Sequence, residues 1–496
     1  MNINYLVGID LGTSGVKVSL FAEDMSEFYA DTKQYQINSP YDGYAEQNPE
    51  DWWDSVCAAL KSLNQRKPEA YRSIKAVGLS GQMHGLVLLD KNRQLLGPAI
   101  IHCDARAKAY KDFMKTEDLI RNGIISPIFS GFQLTSLLWL KNHGTSLYEK
   151  ITYILSPKDY IRFRLTGELG TEWTDASATL LFDCVHRKWS DAILEKAGIC
   201  SAWLQNVHSP SEVCGTVSPS AAQQTSLSKT VQVVYGGADQ PMQALGNGAI
   251  KQGDLTCTIG SGGQMFLCIE EPLVHPRLKV HTFCNVMEKS WYLLGAMLTA
   301  GTAFEYFSSL LYGNYHYDLI DIEVSKNISS PSNLFFLPFL CGERSPYMDE
   351  NLRGAFYGIS LSHNRAHFMR AVMEGICFNM KTIYDEFNKI AGNDPEIAIA
   401  SGGFIKSNLW TKMMASILDM PLLIPKNKGY QASIGAAMMA GIGTGVYHSL
   451  QEAVDTCVSF EDYIAEPDIN FIGYYAEKYG QIQEAIKCNY KSMSVR

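Results

Sequence analysis

Several signatures are missing from this 496-residue chain, and each absence removes a class of protein. The 12 cysteines form no CxxC pair and sit at no zinc-finger spacing with histidine, so neither a disulfide framework nor a zinc site is signalled. Reduced thiols in a cytoplasm are the expectation. No run of basic residues occurs and the formal net charge is -9, which excludes the electrostatic footprint of a nucleic-acid binder. The longest small apolar stretch, Ile434–Val446, is rich in glycine and too short to span a bilayer. At the N-terminus no basic segment precedes the first apolar run, and Asp10 interrupts that run, so it does not read as a secretory signal. The GxSxG elbow of a Ser-His-Asp hydrolase is absent. With 46% hydrophobic residues, the chain has ample material for buried cores, and its length suggests about two to four domains.

What is present begins at Val7–Leu20, VGIDLGTSGVKVSL, where two β-type runs meet through a turn of small and hydroxyl residues. Gly12 and Gly15 let main-chain N–H groups approach an anion closely, and Thr13 and Ser14 add hydroxyl donors. Asp10, at the end of the first run, is a candidate ligand for Mg2+, directly or through water. Lys17 is a candidate for neutralising phosphate charge. The plain alternative is a hairpin with a glycine-rich turn, because the segment fits neither GxxxxGK[ST] nor GxGxxG.

The first half reads as alternating strands and helices. Val7–Asp10, Val16–Phe21 and Ala76–Leu79 are expected strands, and Pro49–Leu63 an expected helix capped near Asn48. After a further strand at Val231–Gly236, the opening theme returns at Leu255–Ile269, LTCTIGSGGQMFLCI. Gly260, Ser261, Gly262 and Gly263 overlay Gly12, Thr13, Ser14 and Gly15, with Thr258 falling where Asp10 stood. A third glycine turn, Ile397–Gly403, contains Gly402 and Gly403 and leads through Asn408 into a helical Leu409–Leu418. Such a turn suits a nucleotide, but it also occurs as plain structure. The boundary between two α/β halves is expected around Gly248–Gly253, with a cleft between them.

Other candidates for chemistry follow strands. Asp239, in Gly236–Gln240 (GGADQ), is a candidate base or a helix cap. Ser80–Gly85 (SGQMHG) offers Gln82 and His84 as hydrogen-bonding groups for a hydroxylated substrate and Met83 as an apolar contact; alternatively His84 is a structural histidine. Asp104 and Arg106 form a charged pair for a polyol or for structure. A paired-carboxylate glycosidase would leave three glycine turns unexplained.

Taken together, GIDLGTSGVKV (Gly8–Val18), EQNPEDWW (Glu46–Trp53), GQMHG (Gly81–Gly85), SPKDYIRFRLTGE (Ser156–Glu168), GGADQ and FLPFLCGERSPYMDENLRGAFYGISLSH (Phe336–His363) resemble the FGGY carbohydrate kinases. The resemblance implies an α/β fold of two actin-like, ribonuclease-H-type domains flanking a catalytic cleft. Residues 1–248 would bind sugar and residues 249–496 ATP with Mg2+. It further implies that Met83 and His84 touch a ketose, with Gln82, Asp104, Arg106 and Gln240 nearby. Asp239 would be the catalytic base and Asp10 the second catalytic carboxylate, while Gly12, Thr13, Ser14, Lys17, Gly260, Ser261, Gly262, Gly402, Gly403 and Asn408 would hold nucleotide.

The expected activity is ATP-dependent phosphorylation of a ketose, D-xylulose first. The alternatives are another sugar, polyol or sugar acid such as gluconate, or a non-catalytic actin-like nucleotide-dependent protein. The expected partners are a small-molecule sugar and a second copy in a homodimer, with no nucleic acid and no membrane. Departures from the family pattern at His102–Arg106, Gln133–Ser136, Gly260–Gly263 and Gln240 bear on which polyol is chosen.

Overall fold

A computed structural model of the chain describes residues 3–313, 317–327, 332–392 and 395–493. Strands β1 (Tyr5–Leu11), β2 (Gly15–Ala22) and β3 (Phe28–Gln34) form an antiparallel meander, and the apolar residues of β1 and β2 are buried on both faces of the sheet. Helix α1 (Pro49–Arg66) begins where the sequence places it. The Asn48 side chain accepts the Glu50 N–H at 3.2 Å, Pro49 needs no hydrogen-bond partner, and Trp52, Val56, Leu60 and Leu63 recur at helical spacing to bury one face.

Strand β4 (Ile74–Gly81) then runs parallel to β1. Helices α2 (Gln133–His143), α3 (Pro157–Thr166) and α4 (Trp173–Ser177) follow. Next come β5 (Val213–Thr216), β6 (Gln232–Val234), the short β7 (Gly237–Ala238) and helix α5 (Asp239–Gly246). The single strand expected over Val231–Gly236 is thus broken. Gly236 has φ +75°, and a Cβ there would lie 2.2 Å from the Leu79 carbonyl oxygen, so the chain turns sharply before β7 pairs with the end of β4. The first sheet has the order β5-β6-β4-β1-β2-β3, with β7 also on β4.

The second half repeats this plan. Strands β8 (Leu255–Ile259), β9 (Gly263–Ile269), β10 (His281–Cys284) and β11 (Trp291–Met297) are followed by helices α6 (Gly301–Tyr312) and α7 (Arg365–Ala391). Strand β12 (Ala398–Gly402), helix α8 (Asn408–Leu418), strand β13 (Leu422–Leu423) and helices α9 (Gln431–Gly443) and α10 (Ile469–Met493) complete it. The sheet order is β10-β11-β9-β8-β12-β13. The β8–β9 hairpin lies parallel to β12 as the β1–β2 hairpin lies parallel to β4, so the weak repeat read in the sequence is a repeat of topology: two actin-like domains. Among the described residues no helix is long and apolar enough to cross a membrane.

The halves are joined first through helix α9 and the β10–β11 hairpin. Helix α9, late in the chain, packs on the first sheet and on α5 through glycines. A Cβ at Gly8 would lie 1.6 Å from the Ser433 carbonyl oxygen, at Gly78 1.8 Å from that of Ala436, at Gly246 1.9 Å from that of Gln431, and at Gly435 2.0 Å from that of Met242. Only a residue without a side chain permits main chains this close. Separately, the β10–β11 hairpin is pinned to the first half. Trp173 Nε1 donates to the Asn285 carbonyl (2.6 Å), Trp291 Nε1 to that of Cys184 (2.8 Å), and Arg187 to those of Met287 (3.1 Å) and Ser290 (2.9 Å).

Gly78→Ala should therefore force strand and helix apart and destabilise the chain by about 3 kcal/mol, read as a lower urea midpoint. A midpoint equal to that of the parent would show that the contact yields without cost.

Candidate active site

The ends of the two parallel strand pairs face one another across the cleft and carry different chemistry. In the first, Asp10 is paired in register with both Lys17 and Ser80, and Ser80 Oγ donates to Asp10 Oδ1 at 2.9 Å. Burial raises the Asp10 carboxyl above its ordinary range, opposed by Lys17 and Ser80. The Lys17 ammonium donates to the Gly429 carbonyl at 2.8 Å, just before α9, so it also ties the two halves together. In the second pair the register partners are Thr258 and Ser401, whose hydroxyls meet at 2.7 Å. From α5, Gln243 Nε2 reaches both, at 3.3 and 3.2 Å. One cleft wall thus offers a carboxylate where the other offers neutral hydroxyls.

The turns beside these strands are open. Gly12 N–H donates to Gly15 O at 3.0 Å and Thr13 O accepts Gln47 Nε2 at 2.7 Å, while the N–H groups of Thr13 and Ser14 have no partner among the described residues. At the second turn Gly260 N–H donates to Gly262 O at 2.9 Å. A Cβ at Gly260 would meet nothing within 4 Å, and Ser261 is exposed. Gly402 has φ +95° and Gly403 continues the third turn. The cap of α8 is Ser407, whose Oγ accepts Trp410 N–H at 3.0 Å, and Asn408 is the exposed first helical residue.

Asp239 is the first residue of α5, held where β7 meets β4. Its Oδ1 is buried with no hydrogen-bond partner among the described residues. Burial, and then the charge of Asp10, push its carboxyl up to about 7. A carboxyl poised there can hold or release a proton near neutral pH. Asp10 and Asp239 place two carboxyls close enough to interact, and no group of three or more metal-ligating side chains occurs among the described residues. That suits Mg2+, which is commonly bound through one or two carboxylates with phosphate and water completing its shell.

Around this point lie the groups expected to meet a substrate. Gln82 Nε2 donates to Gln47 Oε1 at 2.9 Å, and the Gln82 Oε1 atom is buried without a partner among the described residues. Met83 is buried, with the Tyr292 hydroxyl 3.8 Å from its sulfur. His84 has φ +71° and its ring lies 3.8 Å from that of Phe132. Burial holds His84 neutral, its value well below that of an ordinary histidine. Its Nδ1 lies 2.8 Å from the Ala178 carbonyl. A carbonyl only accepts, so Nδ1 carries the proton and Nε2 remains an acceptor for a hydroxyl. Gln240 is half-buried beside Asp239.

Asp104 and Arg106 are engaged with protein. Arg106 binds Asp104 (Nε at 3.0 and 2.9 Å) and Glu46 (2.6 Å) and lies over the Tyr44 ring, while Asp104 accepts the Ala45 N–H at 2.7 Å. Gln133 donates to the Gly85 carbonyl at 2.9 Å, holding the GQMHG segment from behind.

Sequence reasoning missed one wall entirely. Phe132, His281, Phe283 and Tyr292 stack across the seam between halves, with Arg344 beside Phe129 and donating to the His102 carbonyl at 3.4 Å. Their separation along the chain leaves no local pattern; the one signal was the charged pair Glu343-Arg344 after the apolar run Phe336–Leu340.

Residues 5–246 match the N-terminal domain of the FGGY family of carbohydrate kinases, and residues 255–444 its C-terminal domain. The chain is 34% identical to a xylulose kinase of Bacillus subtilis (strain 168) over 91% of each chain. Among solved structures, a xyloylose kinase from Brucella ovis superposes with a TM-score of 0.92 at 28% identity, covering 98% of this chain and 100% of that one. A gluconate kinase from Lactobacillus acidophilus gives 0.91 at 25% identity, covering 98% of each.

The raised carboxyl has a thermodynamic signature. Between about pH 4 and 7 the folded chain keeps on Asp239 a proton that an unfolded aspartate has lost, so over that window this group makes stability fall as pH rises. Asp239→Asn should flatten that slope in thermal melts. In carboxyl carbon NMR, Asp10→Asn should move the Asp239 midpoint below 7; an unmoved midpoint would exclude the coupling.

Proposed function

The chain belongs to the FGGY family of carbohydrate kinases and is a carbohydrate kinase, and from that premise we propose that it transfers the γ-phosphoryl group of ATP to the terminal hydroxyl of a free ketose. D-xylulose is the first candidate, giving D-xylulose 5-phosphate, as the similarity to xylulose kinases along nearly the whole chain supports. The observation that carries the mechanism is the buried, unpartnered Oδ1 of Asp239 at the edge of the cleft. In this reading it accepts the proton of the attacking hydroxyl, and its value near 7 suits that task.

Residues 1–248 hold the sugar: Gln82 and Gln240 by hydrogen bonds, Met83 by apolar contact, and His84 Nε2 by accepting a hydroxyl proton. Asp104 and Arg106 act by fixing the loop that closes the pocket against Glu46. Residues 249–496 hold most of ATP, with Gly260, Ser261 and Gly262 at the phosphates and Gly402, Gly403 and Asn408 toward the nucleoside. Gly12, Thr13 and Ser14 approach the phosphates from the other wall. Mg2+, when bound, neutralises phosphate charge, and Asp10 is the residue to hold it, directly or through water. Lys17, fixed on Gly429, adds positive charge beside Asp10 and ties the first phosphate turn to the second half. Sugar hydroxyls and phosphate are thereby oriented before reaction, which is where most of the rate of phosphoryl transfer originates.

One observation favours a second reading, a sugar acid. Arg344, on the cleft wall, has as its neighbouring acid Glu343, whose carboxyl burial pushes up to about 8, and a substrate carboxylate would supply the full negative charge that a protonated Glu343 does not.

The test is ADP release with MgATP across pentuloses, hexuloses, polyols and aldonic acids. D-xylulose should stimulate it most; selective stimulation by gluconate would select the second reading, and no stimulation by any of them would end the proposal. With the accepted sugar, Asp239→Asn should lose turnover by about 100- to 10,000-fold while calorimetry finds sugar and nucleotide still bound. Asp10→Ala should require more Mg2+ for half-maximal rate.

A further inference from the structure

Behind Asp239 lies a fully buried group of charges that touches neither the sugar nor the phosphate side of the cleft. Lys158, Asp159, Arg162, Glu172 and Asp175 come from α3, α4 and the residue before α4, and each is at most 1% exposed. The Lys158 ammonium sits 2.9 Å from Asp159, 3.2 Å from Glu172 and 3.1 Å from Asp175. Arg162 pairs with Asp159 at 2.6 Å. Two cations face three carboxyls, and burial raises the Asp175 carboxyl well above the ordinary range. With Asp175 protonated the group is neutral, as a buried cluster must be to avoid a large desolvation cost.

This cluster reaches the cleft through one hydroxyl. Thr174 Oγ1 donates to Glu172 Oε1 at 2.8 Å and accepts the Ala238 N–H at 2.8 Å. Glu172 also accepts the N–H groups of Thr174 (2.6 Å) and Asp175 (2.9 Å), which fixes the turn carrying that hydroxyl. Ala238 immediately precedes Asp239. On its other side it pairs with Gly81, against which Lys158 itself packs: a Cβ at Gly81 would lie 2.9 Å from Lys158 Cβ. The peptide leading into Asp239 is therefore held between a strand and a hydroxyl, and both supports end on the same ion cluster.

We propose that Thr174, oriented by Glu172 and Lys158, is a positioning residue for Asp239: its hydroxyl fixes the Ala238 N–H and so keeps the Asp239 carboxylate at the cleft with Oδ1 buried. The inference rests on the reading of Asp239 as base for its effect on rate, but not for its effect on the Ala238 N–H. In Thr174→Val the Ala238 N–H loses its acceptor, the start of α5 loosens, and the carboxyl gains access to water.

Two measurements test this on the full chain. Turnover with MgATP and the accepted sugar should fall about 10- to 100-fold, the cost of a misplaced catalytic group, with KM for both substrates little changed and Thr174→Ser restoring most of the loss. Amide hydrogen exchange should show the Ala238 N–H, which donates to Thr174 Oγ1 at 2.8 Å, exchanging faster in Thr174→Val and recovering its protection in Thr174→Ser. If Thr174→Val does not fold, Thr174→Ala removes the hydroxyl without placing a methyl against Glu172 and carries the same test. Unchanged protection of the Ala238 N–H in the folded valine or alanine variant overturns the proposal, whatever the turnover. Wild-type turnover in Asp239→Asn would instead overturn the base assignment and leave the exchange result to judge Thr174.

Discussion

The close approach of helix α9 to the first sheet and to α5 is the constraint on which the rest of the molecule depends. Four glycines, Gly8, Gly78, Gly246 and Gly435, let main chain touch main chain where any side chain would intervene. The consequence is geometric. With α9 seated this deeply, the ends of β1 and β4 and the first turn of α5 converge, and Asp10, Ser80 and Asp239 come to one place. The Lys17 bond to Gly429 and the Ser19–Ser433 hydroxyl contact at 2.6 Å run along the same seam.

Burial then sets the chemistry. Desolvation, and then the charge of Asp10, raise the cost of ionising Asp239, which holds its proton to about 7. The same desolvation keeps His84 neutral and turns it into a hydrogen-bond acceptor of fixed tautomer. Opposite charges meet behind the site, in the Lys158 cluster, where they neutralise one another and stiffen the backbone. At the cleft itself Asp239 Oδ1 and Gln82 Oε1 are buried without a partner among the described residues, which is the condition for a site that must bind a polar ligand.

The two hairpins show how far a linear reading reaches. The overlay of GTSG on GSGG identified a repeat, and the sheets prove to share a plan, because the turn residues and the flanking β-branched runs are local causes of a hairpin. The helix after Asn48 was equally legible from its cap, its proline and its apolar spacing. Arg106 was harder. Its spacing from Asp104 fits a pair for a polyol or for structure, and only the approach of Glu46 and Tyr44, some sixty residues earlier, reveals a guanidinium already satisfied by protein. Thr174 gave no signal at all, since its importance lies in a single contact with Ala238.

By itself, the sequence determined the hairpins, the capped helix, the glycine turns and the kinase family, because each of these rests on short-range chemistry or on an ordered set of motifs. The tertiary structure alone decided which polar groups are spent on protein and which are left for a ligand. It also decided where helix α9 lies, how the aromatic wall crosses between the halves, and how far each carboxyl is desolvated. Hydrogen bonding and burial are sums over everything that packs around an atom, and for Asp239 those neighbours, Asp10, Gly81 and Thr174, arrive from three separate parts of the chain.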